Sequence, residues 1–298
     1  MKRFLLCALL LAVVTVASQA QKKKKKEEVV TIKTSQGDMV AILYDETPKH
    51  KANFLKLTRE HYYDSLLFHR IIDGFMIQGG DPDSRKAKPG QHLGSGGPGY
   101  TVDAEISPKF YHEKGAIAAA RTGGPSNPTK ASSGCQFYIV DGTVVKEEAE
   151  LKRDPEKFNT AYRQFFQNQA NHAYGDTLNK FMQANDRPGY EACLVKIKPV
   201  VEASTGIKTE KEVSPEKLKA YTTVGGAPHL DNEYTVFGKV IKGLDVVDKI
   251  AALPKDENDR PKDDIRMTVT VEELSFKKIE KLYGYKFPEE PKKDSKKK

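Results

Sequence analysis

Apolar and polar residues alternate between positions 29 and 45: Val30 and Ile32, then the turn Ser35-Gln36-Gly37-Asp38, then Val40 and Ile42. A period of two sends successive side chains to opposite faces of a strand, so the stretch predicts a hairpin around a glycine-containing loop. Thr47-Pro48 follows, a capping hydroxyl before proline at a first helical position. It predicts a helix whose buried face carries Ala52 and Leu55, with Phe54 and Leu57 beside them. Short strands separated by turn residues continue to Val140. The same texture returns after residue 221, with Tyr234, Val236 and Val240 in strands, a short helix over 244–252 and a last strand around 265–274. This is an all-β pattern with two helices, and closing such a sheet into a barrel removes its exposed edges.

Residues 143–220 follow a different period. Asp154-Pro155 opens a helix, and Phe158, Tyr162, Phe165, Phe166, Ala170, Tyr174, Leu178 and Phe181 recur mostly at three- and four-residue spacings. One or two amphipathic helices fit, with a break near Gly175, and another short helix begins at Ser214-Pro215. The chain therefore divides into a leader (1–20), a basic disordered segment (21–28), a β unit (29–142 with 221–276), a helical insertion (143–220) and a charged tail (277–298).

The leader rests on Lys2 and Arg3, an apolar run over 4–16, and the small residues of Ser18-Gln19-Ala20. That run is too short for a membrane anchor and reads as a cleaved secretory signal, so an exported, periplasmic or secreted, protein is expected. The net charge of +8 sits largely on the ends: without Lys2, Arg3 and the lysine runs at 22–28 and 289–298, about +1 remains. A nucleic-acid binder carries its basic footprint on the folded body, so nucleic acid is excluded as a partner. Beyond the leader only Cys135 and Cys193 remain, one in a predicted strand and one in the insertion, and they read as unpaired buried thiols.

Residues 68–81, FHRIIDGFMIQGGD, are too apolar for a loop and too punctuated for a helix. Glycines at 74, 79 and 80 break the stretch into short extended pieces. Arg70, its one cation, needs a solvent edge or a ligand carbonyl. At these residues the chain resembles the cyclophilin family of peptidyl-prolyl cis–trans isomerases. The resemblance continues through GSGGPG (94–99), GAIAAAR (115–121), GCQFYIV (134–140) and HLDNEYTVFGKVIKGLDVVDKI (229–250), in the family's order. It implies a mainly β, cyclophilin-like fold: a closed eight-stranded antiparallel barrel capped by two helices, here with an inserted helical lobe.

The resemblance also implies the chemistry. A planar prolyl amide crosses a barrier of about 18–20 kcal/mol by twisting, with no bond broken. The twisted nitrogen loses resonance and can accept a hydrogen bond, so a fixed donor favours it over either planar form. The family's donor corresponds to Arg70. Phe75 and Met76 match the apolar proline pocket, and Gln78 a side chain holding the arginine and the substrate backbone. Alternation in 134–140 places Gln136 and Tyr138 on the groove face and Phe137 and Ile139 in the core. Tyr138 replaces the usual phenylalanine of the pocket floor, and its hydroxyl needs a partner. Ala120 matches a groove-lining residue, and Arg121 stands where many members carry asparagine. His229 occupies a position often held by tryptophan, Leu230 matches the pocket leucine, and Tyr234 replaces a histidine.

No cofactor is required, and the histidines lack HExxH or H-x-H spacing, so no metal is expected. The expected partners are proline-containing segments of unfolded or folding exported proteins, bound by a monomer without a membrane span. The second reading keeps the fold but makes the protein a peptide-binding or chaperone module with little isomerase activity.

Overall fold

The structure, a computed structural model, describes residues 26–288; the leader, residues 21–25 of the basic segment and the last ten residues lie outside the described residues. Eight strands build one antiparallel sheet: β1 (Lys26–Thr34), β2 (Gly37–Leu43), β3 (Phe68–Ile72), β4 (Met76–Gly79), β6 (Ala116–Ala119), β8 (Phe137–Val140), β9 (Val236–Lys242) and β10 (Thr268–Ser275). Their order is β10-β1-β2-β9-β6-β8-β4-β3, and β5 (Thr101–Val102) pairs separately with β7 (Ser132–Ser133).

The barrel expected from the sequence is not closed. The sheet curls into a half-barrel whose edges, β3 and β10, do not form a ladder with each other. Irregular chain meets those edges instead. Ser65 and Phe68 donate their N–H groups to the carbonyls of Met267 and Ile265 at 2.9 Å, and Met267 donates back to Leu66 at 2.8 Å. Further along β3, Ile71 donates to the Asp259 carbonyl at 2.8 Å. Edge groups are thus satisfied without a continuous seam.

The main core lies between the concave sheet and two helices, α1 (Pro48–Arg59) and, later in the chain, the helix Leu244–Ala251. Phe137 sits edge-on to Phe54 and Tyr63, with ring centroids 5.3 and 5.6 Å away. Leu55, Phe54 and Leu57 are buried as the pattern predicts, but Ala52 is exposed. Thr47 does not cap α1 with its side chain; its hydroxyl donates to the Tyr44 carbonyl.

Between β8 and β9 the chain runs through α2 (Glu148–Lys152), α3 (Pro155–Gln167), α4 (His172–Gln183), α5 (Arg187–Thr205) and α6 (Pro215–Thr223), so the helix Leu244–Ala251 is α7. Three long helices stand where the sequence predicted one or two. The break falls at 168–171, not at Gly175, because the Asn168 side chain accepts the Ala170 N–H and starts a 3₁₀ turn. Gly175 lies inside α4, near Phe166. Tyr162, Phe165, Leu178, Leu194, Ile197 and Val201 form a core of the lobe's own. The lobe narrows to a neck where Asp154 N–H donates to Thr209 at 2.9 Å and Lys211 N–H to Lys152 at 2.8 Å.

Both ends of the β unit extend past their predicted limits. Lys26–Glu28, assigned by sequence to a disordered segment, belong to β1 and pair with Leu274 and its neighbours in β10. Residues 277–283, assigned to a tail, belong to α8 (Phe276–Tyr283), whose Ile279 is buried on Val29, Val40 and Leu274. Cys135 and Cys193 are unpaired. No helix among the described residues is long and apolar enough to cross a membrane.

Candidate functional site

The register of four strands assembles the site. Arg70 in β3 pairs across from Gln78 in β4, and Gln78 pairs across from Tyr138 in β8. Tyr138 in turn faces Ala118 in β6. Alternation along β8 sends Phe137 and Ile139 into the main core and Tyr138 and Val140 to the opposite face. There they meet Met76, Ala118, Ala227 and Val236 in a second, smaller cluster. Gly80, with φ of +94°, sets the strand spacing; a Cβ there would run into the Cys135 carbonyl.

All but two of the residues singled out by sequence line one cavity of about 170 Å³. Phe75, Met76, Leu230 and Tyr138 give it apolar walls and a floor. Arg70 and Gln78 stand along one side, and Ala120, Arg121 and Tyr234 along the other. Gln136 lies in the adjoining groove beside the glycine loop 94–99. Its amide donates to the Gly94 and Gly96 carbonyls at 3.0 and 2.7 Å and accepts from Gln78 at 3.1 Å. His229 sits on the rim, its ring 5.3 Å from that of Phe75. Burial, reinforced by His112, lowers the His229 pKa.

The two cations of the cavity are in different states. Arg121 donates Nε to the Glu233 carbonyl at 2.9 Å and a terminal nitrogen to the Glu233 carboxylate at 3.0 Å. Its guanidinium also lies 4.5 Å from the Tyr234 ring centre, so it braces the wall. Arg70 has a looser attachment: its side chain is 41% exposed, and Nε stands 3.5 Å from the Asp259 carboxylate. That carboxylate is itself held by Lys255 at 2.7 Å. The guanidinium at the mouth therefore keeps donors for a ligand.

The Tyr138 hydroxyl finds a partner that sequence reasoning missed. It bonds to His112 Nε2 at 3.0 Å, and His112 Nδ1 bonds to Asp231 at 3.0 Å. Asp231 also accepts from Tyr221 at 2.8 Å and from the Lys217 ammonium at 2.6 Å. Burial would raise the Asp231 pKa, but the hydrogen bonds from His112 and Lys217 outweigh it and hold the carboxyl below its ordinary range. Burial keeps the Tyr138 phenol protonated, its pKa well above the usual value. The floor thus presents a ring with its polar end tied down behind it. His112 carried no pattern of its own in the sequence; Asp231 was legible only as the neighbour of Leu230.

Beyond Arg70 a second, more polar cavity of about 300 Å³ is lined by His69, Gln91, His92, Asp256 and Arg260. Among the described residues no group of three or more His, Cys, Asp or Glu is placed to hold a metal ion. Burial raises the Cys135 thiol pKa, which suits a packed side chain better than a nucleophile.

Comparison with known proteins agrees with the geometry. The family model for cyclophilin type peptidyl-prolyl cis-trans isomerase matches residues 29–178 and 208–272. A Streptococcus pyogenes protein named as a bifunctional phosphatase/peptidyl-prolyl cis-trans isomerase is 31% identical over 245 residues, covering 79% of this chain and 37% of that protein. A Staphylococcus epidermidis protein named as a peptidyl-prolyl cis-trans isomerase is 29% identical over 249 residues, covering 82% of this chain and 91% of its own length. A solved cyclophilin type isomerase from Cryptosporidium parvum aligns over 83% of this chain and 98% of its own, with 22% identity and a TM-score of 0.48. With more than half of its length matched by the family model, and with the arginine and apolar pocket in one cavity beside the glycine-loop groove, the chain belongs to the cyclophilin-type peptidyl-prolyl cis–trans isomerases.

Proposed function

We propose that this protein isomerises X-Pro bonds in unfolded or folding exported proteins, with Arg70 stabilising the twisted amide. Shortening a reaction of tens to hundreds of seconds to milliseconds takes a factor of about 10⁵, or roughly 7 kcal/mol. A preorganised charged donor supplies about 3 kcal/mol of that. The remainder falls to the apolar cavity, where Phe75, Met76, Leu230 and the Tyr138 ring hold the prolyl ring while the preceding carbonyl turns. The observation that carries this reading is the contrast between Arg121, whose donors are engaged, and Arg70, half-exposed at the mouth of the same cavity. Gln136 ties the glycine loop to Gln78 of β4, beside the arginine.

The alternative of a binding module with little turnover drew its force from Tyr138 and Tyr234. The bonded Tyr138 hydroxyl weakens that objection, since it leaves no unpartnered polar group on the pocket floor, and the Tyr234 ring is braced by Arg121. Arg70→Ala decides between the two readings. Turnover of a proline tetrapeptide should drop about a hundredfold, the equivalent of one lost charged donor, with unchanged circular dichroism. Near-parental turnover would remove the mechanism. The exported location rests on the leader at 1–20, and intact mass after expression in an exporting host should show a mature chain beginning near Gln21.

A further inference from the structure

We infer that Lys217 and Tyr221, on helix α6 at the end of the lobe, are positioning residues for the proline pocket, acting through Asp231 and His112 on the Tyr138 floor. The inference rests on the cavity beside Arg70 being the prolyl site. Every link in the path is a direct contact. The Asp231 carboxylate accepts the His112 backbone N–H at 2.9 Å, the His112 ring at 3.0 Å, the Tyr221 hydroxyl at 2.8 Å and the Lys217 ammonium at 2.6 Å. His112 and Tyr221 are fully buried, and Tyr138 nearly so.

The direction of the hydrogen bonds follows from the partners. Ionised Asp231 only accepts, so His112 carries its proton on Nδ1 and turns the Nε2 lone pair to the Tyr138 hydroxyl. The phenol then donates away from the cavity. A buried hydroxyl without that acceptor would have to shift or draw water under the floor. Lys217 and Tyr221 matter because they fix where the carboxylate sits, and the carboxylate fixes the ring of His112. Backbone packing closes the assembly. Gly226 has φ of +156°, and a Cβ there would collide with the His112 carbonyl; Ala227 N–H donates to that same carbonyl at 2.8 Å. The turn that carries His229 and Leu230 to the rim is thereby anchored to His112 and, through Asp231, to α6. A helix outside the cavity, contributed by the inserted lobe, sets the depth and tilt of the surface on which the prolyl ring rests.

The test is kinetic, with kcat and KM on a proline tetrapeptide for Tyr221→Phe and Lys217→Met, each in the parent and in a Tyr138→Phe background. Both substitutions keep the aliphatic or aromatic bulk, so the fold is expected to survive, as thermal unfolding will report. In the parent background each should raise KM about three- to tenfold with kcat changed less, the range of coupling between residues in one network. In the Tyr138→Phe background, where no hydroxyl remains to be positioned, the same substitutions should change KM by less than about twofold. Equal KM ratios in the two backgrounds, or a lowered unfolding temperature with parental KM, would overturn the inference. Arg70→Ala measured alongside separates the premises: parental turnover there refutes the site reading, whereas the two KM ratios judge the relay in either case.

Discussion

Arg70 reaches the Asp259 carboxylate at 3.5 Å, while Lys255 already occupies that carboxylate at 2.7 Å. The arginine is therefore steered toward the groove without being neutralised. An ion pair this exposed is worth less than about 1 kcal/mol, so most of the donor strength stays available.

Two substitutions separate charge from geometry at this position. Asp259→Asn should leave kcat/KM within about fivefold of the parent, because a weak exposed pair is lost. Arg70→Lys keeps the charge but loses the planar fork, and kcat/KM should fall more than about tenfold. A lysine variant as active as the parent would show that a point charge suffices and that the rigid guanidinium is not what acts.

Acid should weaken the fold through His69. Its ring is buried beside Asp81, and neither ring nitrogen has a hydrogen-bond partner within the described residues. Burial pushes its pKa down to about 4, with Asp81 opposing and Arg70 adding to the fall. An unfolded histidine titrates near 6.5, so below that value the unfolded chain takes up a proton that the folded chain refuses. The stability linked to His69 is complete above about pH 6.5 and declines as pH falls toward 4. Between pH 7 and 5 the loss from this group is about 2 kcal/mol. Urea unfolding of the parent and of His69→Leu at both pH values checks it. The variant should lose less than the parent by about that amount, and equal losses would assign the acid sensitivity elsewhere.

The β unit was legible because its signals are local. Alternation placed β1, β2 and β8, Pro48 marked α1, and the two faces of β8 were separated correctly at Phe137 and Tyr138. Closure of the sheet was not legible, since it depends on whether residues 65–68 and 265–267 join as a ladder or as isolated bonds. The ends were misjudged for a different reason. Runs of lysine and glutamate read as solvated tail, yet Lys51 pairs with Glu27 at 2.6 Å and Ile279 of α8 is buried against the sheet. The spacing of Phe276, Ile279 and Tyr283 was the available signal for that helix. The path from Tyr138 to Lys217 joins residues distant in the chain, and no spacing rule connects them.

At the rim, His229 bears on ligand preference. The family resemblance places a tryptophan there, which packs a large ring and donates an indole N–H to cyclosporin. Here an imidazole packs at 5.3 Å against Phe75. Lost packing and a lost hydrogen bond together cost a few kcal/mol, so cyclosporin should bind weakly. Titration against tetrapeptide turnover checks this, and submicromolar inhibition would contradict it. His229→Trp should tighten inhibition relative to the parent.

The lobe should prove separable at its neck and not at its base. Residues 152–154 and 209–211 already run side by side, held by the Asp154–Thr209 and Lys152–Lys211 backbone bonds. Its aromatic core is distinct from the clusters of the β unit. Replacing 155–208 with a short Gly/Ser linker therefore removes a self-contained unit across a gap that is already closed, and loop entropy changes only logarithmically with length. That variant should fold and keep tetrapeptide turnover near the parental value, while accelerating a slow-folding protein substrate less well. A larger cut, 146–215, also takes Ser214 and Pro215. Ser214 accepts the Lys217 N–H at the start of α6, and losing such a cap costs about 1 kcal/mol of helix stability. Since α6 carries Lys217 and Tyr221, the larger deletion should raise KM on the tetrapeptide where the smaller one does not. If both deletions behave alike on the peptide, α6 contributes nothing that the β unit cannot supply. If the smaller deletion fails to fold, the lobe is part of the β unit's core after all.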